Sequence, residues 1–264
     1  MHLNDHRPAS YFERIGQNKF RATEHVGGGW NPAEQHIAPA MGLLVHAIEA
    51  RTDVRRDRPL TIGRLTYDIL GTIPIGVVEV HVSVVRPGRT IELIEASLIC
   101  DDRAALIVRA WLMQAYDTTS LAGSSIPLIE PPEAMAPWDP ASIWPGGFVR
   151  TIETRRAQIE PGRAVTWLRT DVTLIDGEAV SPTARALGII DIANGLTPRA
   201  SVDVIAFPNV DLTAHLFRSP EGEWFGLDTT VSFGPNGVGL TQSNIHDIRG
   251  QVGTFSQCLT VRPR

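Results

Sequence analysis

Between residues 77 and 85 the chain alternates between two kinds of side chain. Val78, Val80, Val82 and Val84 fall on one side, and Glu79, His81 and Ser83 on the other. A period of two is the signature of a half-buried strand. Comparable runs cover residues 60–70, 90–100 and 105–115, with Asp101-Asp102 as the turn between the last two. A strand-like piece at 11–22 and a helical stretch at 40–50 precede them. The pattern then recurs. Strand-like stretches at 148–159 and 164–174 lead to Ser181-Pro182, an N-cap followed by proline at the first helical position. That helix is expected to run to about Gly195, a good stop residue. Strand candidates at 203–217, 223–233, 237–247 and 251–261 follow, with residues 247–250 as the turn that matches Asp101-Asp102.

Between the two series, residues 117–147 carry Pro127, Pro131, Pro132, Pro137, Pro140 and Pro145. Proline has no N–H and a fixed φ, so this segment reads as a connector. The expected organisation is a repeat at 1–116, a Pro-rich connector at 117–147 and a second repeat at 148–264 that carries the site. A long period present only twice means a duplicated unit rather than a solenoid. A helix held by a curved antiparallel sheet, twice over, is an α+β architecture. Two such sheets can pair edge to edge, which removes exposed edges.

Composition narrows the function. With 24 basic and 29 acidic residues the net charge is −5, so no global basic field exists to attract nucleic acid or an anionic membrane. Lys19 is the only lysine, which argues against a lysine nucleophile. Cys100 and Cys258 are too few for a disulfide framework and lack metal spacing, which suits a reducing cytoplasm. No apolar leader and no membrane-length run is visible, so the expectation is a cytoplasmic protein without membrane partners. The motifs G-x-S-x-G, the P-loop, strand-to-helix G-x-G-x-x-G and H-E-x-x-H are all absent.

What remains is a set of polar residues in the strands of the second repeat. Asp211, Thr213 and His215 share one strand face, Ser232 ends the next strand, and Gln257 lies inside the last. Aligning residue 70 with 218 puts Gly63 opposite Asp211 and, with a two-residue gap in the second repeat thereafter, Arg86 opposite Ser232 and Trp111 opposite Gln257, so the polar triple exists only in the second repeat.

At these residues the sequence resembles the acyl-CoA thioesterase II family, with its double hotdog fold. The resemblance rests on Val85-Arg86-Pro87-Gly88-Arg89, on residues 186–195, on Asp211, His215 and Arg218 in order, on Glu223-Trp224, on residues 246–250 and on Ser256-Gln257. It implies hydrolysis of an acyl-CoA to free acid and CoA, in lipid or fatty-acid metabolism. Asp211, Ser232 and Gln257 would hold the attacking water, with Thr230 replacing Ser232 if the register slips. Asp211 would be the general base. The oxyanion would meet backbone N–H groups at the helix start of the opposite repeat, at His36, Ile37 and Ala38. There the family usually has Gly-Gly-Gln, which this chain lacks. No metal or cofactor is required; CoA arrives as part of the substrate. Arg55, Arg56 and Arg58 are either CoA phosphate ligands or a solvated loop. A homo-oligomer, dimer or higher, is a reasonable expectation for the family. Two other readings stand beside hydrolysis. One is an acyl-CoA or lipid-binding hotdog protein without turnover. The other is an enoyl-CoA hydratase-like enzyme, through the loose match of residues 31–36 to D-x-N-P-x-H, although Asn31-Pro32 reads better as a turn.

Overall fold

The computed structural model describes residues 9–53 and 60–264, Asp53 by its backbone alone. The first repeat comprises strands β1 (Ser10–Arg14) and β2 (Lys19–Ala22), helix α1 (Ile37–Asp53), and strands β3 (Leu60–Ile69), β4 (Val77–Arg86), β5 (Ile91–Cys100) and β6 (Arg103–Gln114). A short strand β7 (Pro137–Trp138) lies in the connector. The second repeat opens with a one-turn helix α2 (Gly147–Arg150), then β8 (Glu153–Glu160), β9 (Arg163–Arg169) and β10 (Thr173–Ile175). Helices α3 (Pro182–Leu187) and α4 (Ala193–Leu196) follow, then β11 (Ile205–Ala206), β12 (Asp211–Leu216), β13 (Phe225–Phe233), β14 (Val238–Asp247), β15 (Gly250–Thr260) and β16 (Arg262–Pro263).

Fourteen of the described strands form one sheet, in the order β10-β1-β2-β4-β5-β6-β3-β12-β15-β14-β13-β9-β8-β7. The two repeats meet where β3 pairs antiparallel with β12, with Thr213 opposite Thr66. β10 crosses to the first unit and pairs parallel with β1, so the two units are interleaved as well as abutted. Separately, β11 and β16 form a two-stranded ribbon.

The alternation expected of β4 is present: Val78 and Val80 are buried and His81 and Ser83 exposed. Asp101 and Asp102 both have positive φ, 49° and 58°, the twist that a two-residue hairpin turn demands. α1 is buried on most sides, with Ala38, Ala40, Met41, Leu43, Leu44, Val45 and Ile48 all fully buried.

Three local expectations are corrected. Residues 11–22 are a hairpin, β1–β2, rather than a single strand. The strand expected from 203 begins only at Asp211, and Pro208, which cannot donate to a ladder, lies just before it. The second helix is broken: α3 stops at Leu187, a 3-10 turn covers Ile190–Ile192, and α4 follows. The break lies where α3 meets α1. A Cβ on Gly42 would stand 2.7 Å from both the Ala184 carbonyl and the Gly188 Cα. Backbones this close require glycine at the contact, and the chain leaves α3 at its C-cap, Gly188.

Candidate active site

The chain before α1 is tied down by its own backbone. The Gly28 N–H donates to the Glu34 carbonyl, and the His36 N–H donates to the Val26 carbonyl. Asn31 Oδ1 accepts the Ala33 N–H, so Asn31-Pro32 is a turn rather than part of a catalytic motif. His36 then caps α1: its ring Nδ1 accepts the Ala38 N–H at 3.2 Å. The ring stacks on Phe148 with centroids 4.2 Å apart. Burial pushes its pKa down from 6.5 to about 3, so the imidazole is neutral.

In front of this helix start lies a cleft of about 630 Å³. Gln35, His36 and Ile37 line it from the helix start, Ile69, Leu70 and Ile73 from the end of β3 and the loop after it, and Asp191, Asn194, Asn209 and Val210 from the second unit. Trp30, Arg262 and Arg264 line the same cleft, with the Arg264 guanidinium 5.5 Å from the Trp30 ring centre. The cleft is therefore built by both units, the helix start from one and the Asp191 turn from the other.

Asp191 is the buried charge of the site, 2% exposed. The break between α3 and α4 places it on the 3-10 turn, facing Gln257 of β15. Its Oδ1 accepts two hydrogen bonds, from Gln257 Nε2 at 2.7 Å and from Asn209 Nδ2 at 2.8 Å. Neither bond uses Oδ2. Desolvation pushes the pKa up from 3.8 to about 7; the Gln257 and Asn209 bonds pull it down, and the charge of Asp211 pushes it up. A carboxylate half-ionised near neutrality, in a cleft, is a group suited to taking a proton.

Of the expected triple, only Gln257 enters this network. It is fully buried on β15, opposite the equally buried Thr241 of β14. The Gln257 Oε1 and Thr241 Oγ1 take no protein partner. Asp211 stands beside the network without joining it through its side chain. Its carbonyl accepts the second Asn209 Nδ2 bond at 3.1 Å, while its Oδ1 accepts the Cys258 N–H at 2.5 Å. Ser232 is not brought to the site: it is exposed, as is Thr230. The reason is strand parity. Ser232 pairs with Leu240, which pairs with exposed Cys258, whereas the inward row is Val231, Thr241 and Gln257. The same parity corrects the repeat alignment. Ala110 lies seven residues past the turn-closing Arg103, as Gln257 does past Gly250, so the inward counterpart of Gln257 is buried Ala110 and not half-buried Trp111. His215 is exposed on the outer face. At the helix start, Ala38 is fully buried and its N–H is taken by His36; His36 and Ile37 do line the cleft. Arg55, Arg56 and Arg58 lie outside the described residues.

Asp191 and Asn209 were missed by the sequence reading. The available signal was a lone carboxylate in the apolar run Ile189-Ile190-Asp191-Ile192-Ala193, which must find partners if buried.

Two family models describe the chain, the acyl-CoA thioesterase N-terminal domain over residues 26–113 and the C-terminal domain over residues 130–261. The chain belongs to the acyl-CoA thioesterase family. A search of curated proteins returns no match. Among solved structures, an acyl-CoA thioesterase II, TesB2, from Mycobacterium marinum is 15% identical, with a TM-score of 0.65 over 96% of each chain. A protein provisionally described as a thioesterase from Novosphingobium aromaticivorans DSM 12444 is 18% identical, with a TM-score of 0.73 over 96% of this chain and 98% of its own. A conserved hotdog-fold protein of unknown function from Alicyclobacillus acidocaldarius is 12% identical, with a TM-score of 0.71 over 94% of this chain and 95% of its own. At these identities the solved structures speak for the fold, a double hotdog, and the family models for the family. Among the described residues of this thioesterase-family chain, no group of three His, Cys, Asp or Glu side chains could hold a metal ion, and no helix is long and apolar enough to cross a membrane.

Proposed function

We propose that this chain hydrolyses acyl-CoA thioesters, with water activated by Asp191. The observation that carries the reading is the Asp191 carboxylate: buried, pushed up to about 7, and held by Gln257 and Asn209 on the wall of the shared cleft. Water is a weak nucleophile near neutral pH, and a base with a pKa close to the working pH is the most effective at removing its proton. In the reaction the water oxygen bonds to the thioester carbon and its proton passes to Asp191. The carbonyl oxygen takes the negative charge. The C–S bond then breaks, and the CoA sulfur leaves with the proton from Asp191. The two bonds to Oδ1 fix the carboxylate, so Oδ2 is the oxygen left for the water. Acyl carbons would lie against Ile37, Ile69, Leu70, Ile73 and Val210, and the CoA phosphates near Arg262 and Arg264.

The test is thiol release from acyl-CoAs of graded chain length, with Asp191→Asn and Asp211→Asn beside the wild type. Asp191→Asn is expected to lose about 10²–10⁴-fold in kcat. Asp211→Asn, which changes only a neighbouring charge, is expected to lose about tenfold or less. The opposite order would return the base to Asp211. Binding of acyl-CoA with no thiol release would leave a binding protein and sink the hydrolase reading.

A further inference from the structure

A hydrolase needs more than a base: the charge that develops on the carbonyl oxygen must meet hydrogen-bond donors. The expected donors are backbone N–H groups at the start of α1. The structure removes most of them. The His36 N–H donates to the Val26 carbonyl, the Ala38 N–H is taken by the His36 ring, and residue 39 is proline, which has none. Among the described residues, the Ile37 N–H is the one amide of this end given no acceptor.

The group that consumes the Ala38 N–H brings its own replacement. A ring whose Nδ1 accepts a hydrogen bond carries its proton on Nε2 when neutral. The Nε2–H of His36 has no acceptor among the described residues, and the ring lines the same cleft as Asp191. Both sides of its position are set. The Nδ1 bond fixes the tautomer and the tilt, and the Phe148 stack at 4.2 Å fixes the plane. A held neutral N–H donor costs little reorganisation when charge appears.

We infer that the His36 side chain, through Nε2–H, donates to the oxygen of the thioester carbonyl as it becomes an oxyanion, beside the Ile37 N–H. His36 transfers no proton: it donates a hydrogen bond throughout, while the proton of the water travels by way of Asp191. The inference rests on the thioesterase reading above. It gives a reason for the missing Gly-Gly pair: with a side-chain donor capping the helix, the backbone no longer has to approach the carbonyl.

The experiment must separate a donor from a mere helix cap. Asparagine is among the best N-caps, and its short side chain can accept the Ala38 N–H without reaching where Nε2 lies. His36→Asn is therefore expected to keep the thermal midpoint while kcat for acyl-CoA falls about 10²–10³-fold, with KM changed only a few-fold. His36→Gln, whose amide can accept near the backbone and donate at its far nitrogen, is expected to recover part of that loss, and it also serves if His36→Asn does not fold. Because His36 does not exchange a proton in the step, neither variant should move the low-pH limb of the rate profile. If His36→Asn turns over within about threefold of wild type, the ring is only a cap and the inference fails, while the Asp191 reading survives. If the wild type releases no thiol at all, both fail together.

Discussion

At the scale of single residues, the site is organised by what burial does to two titratable groups of opposite kind. Asp191 is held near 7 against 3.8 in an open chain, chiefly by desolvation. Between those values the folded protein keeps a proton that the unfolded chain has released. This group's contribution to stability therefore falls as pH rises from about 4 to about 7, and its penalty is complete above that window. Asp191→Asn removes the penalty. Relative to wild type it is expected to be stabler at about pH 8 than at about pH 4, by up to about 4 kcal/mol, in urea unfolding at the two pH values. The same variant loses activity, so stability gained and turnover lost from one isosteric change would mark a carboxylate kept for chemistry. A difference that did not grow with pH would show that Asp191 is not held protonated. His36 works in the other direction: its pKa is lowered from 6.5 to about 3, so its contribution is present at neutral pH and is lost as pH falls through that interval. Of these residues the sequence exposed some and hid others. Gln257 stood out as an amide in an apolar strand. Ser232 also stood out, but which face it takes depends on parity, and a one-residue slip reverses every side chain.

At the scale of elements, local pattern made the strands legible, because alternation is written in consecutive residues. The break in the second helix was not, because two glycines, Gly188 and Gly195, offer a stop and the sequence reading ends the helix at the later one. Ser181 caps α3 as expected, accepting the Ala184 N–H at 3.0 Å. Within residues 182–195 the local stop signal is Gly188, directly after Leu187, and the close contact with Gly42 of α1 falls at the same point. The break matters because Asp191 sits on the turn that follows it, and an unbroken helix would carry that carboxylate elsewhere. Gly42→Ala puts a methyl 2.7 Å from the Ala184 carbonyl and the Gly188 Cα, both backbone atoms that cannot swing aside. The variant is expected to lose about 1–3 kcal/mol. It should also lose activity out of proportion, because the Asp191 turn must shift to relieve the clash and the 2.7 Å bond to Gln257 depends on that turn. Thermal unfolding and kcat measured on the same preparation check both. Full kcat with a lowered midpoint would mean that the turn is positioned independently of the α1–α3 contact.

At the scale of the whole molecule, pairing β3 with β12 sets the helix start of one unit against the Asp191 turn of the other, so neither unit alone contains the site. The same assembly brings the β11–β16 ribbon to the cleft, where Arg262 and Arg264 line it together with Trp30 and Glu34. Their position matters because the chain as a whole carries a net charge of −5, which repels an anion such as CoA at long range. Whatever holds the phosphates must be local, and Arg262 and Arg264 are the guanidiniums that line the cleft, which also holds the carboxylates of Glu34 and Asp191. A guanidinium pairs with phosphate through two parallel hydrogen bonds, worth about 1.5–3 kcal/mol when charge-assisted and less where solvent screens them. The double variant Arg262→Gln with Arg264→Gln is therefore expected to lose about tenfold in kcat/KM for acyl-CoA, almost all of it in KM, with a flatter dependence on salt. The same acyl group on N-acetylcysteamine has the thioester but no phosphate. For that substrate wild type and double variant should run alike. Equal losses on both substrates would mean that the arginines support the cleft rather than read the carrier. No loss on either would place the phosphates beyond this ribbon, among residues that the described cleft does not include.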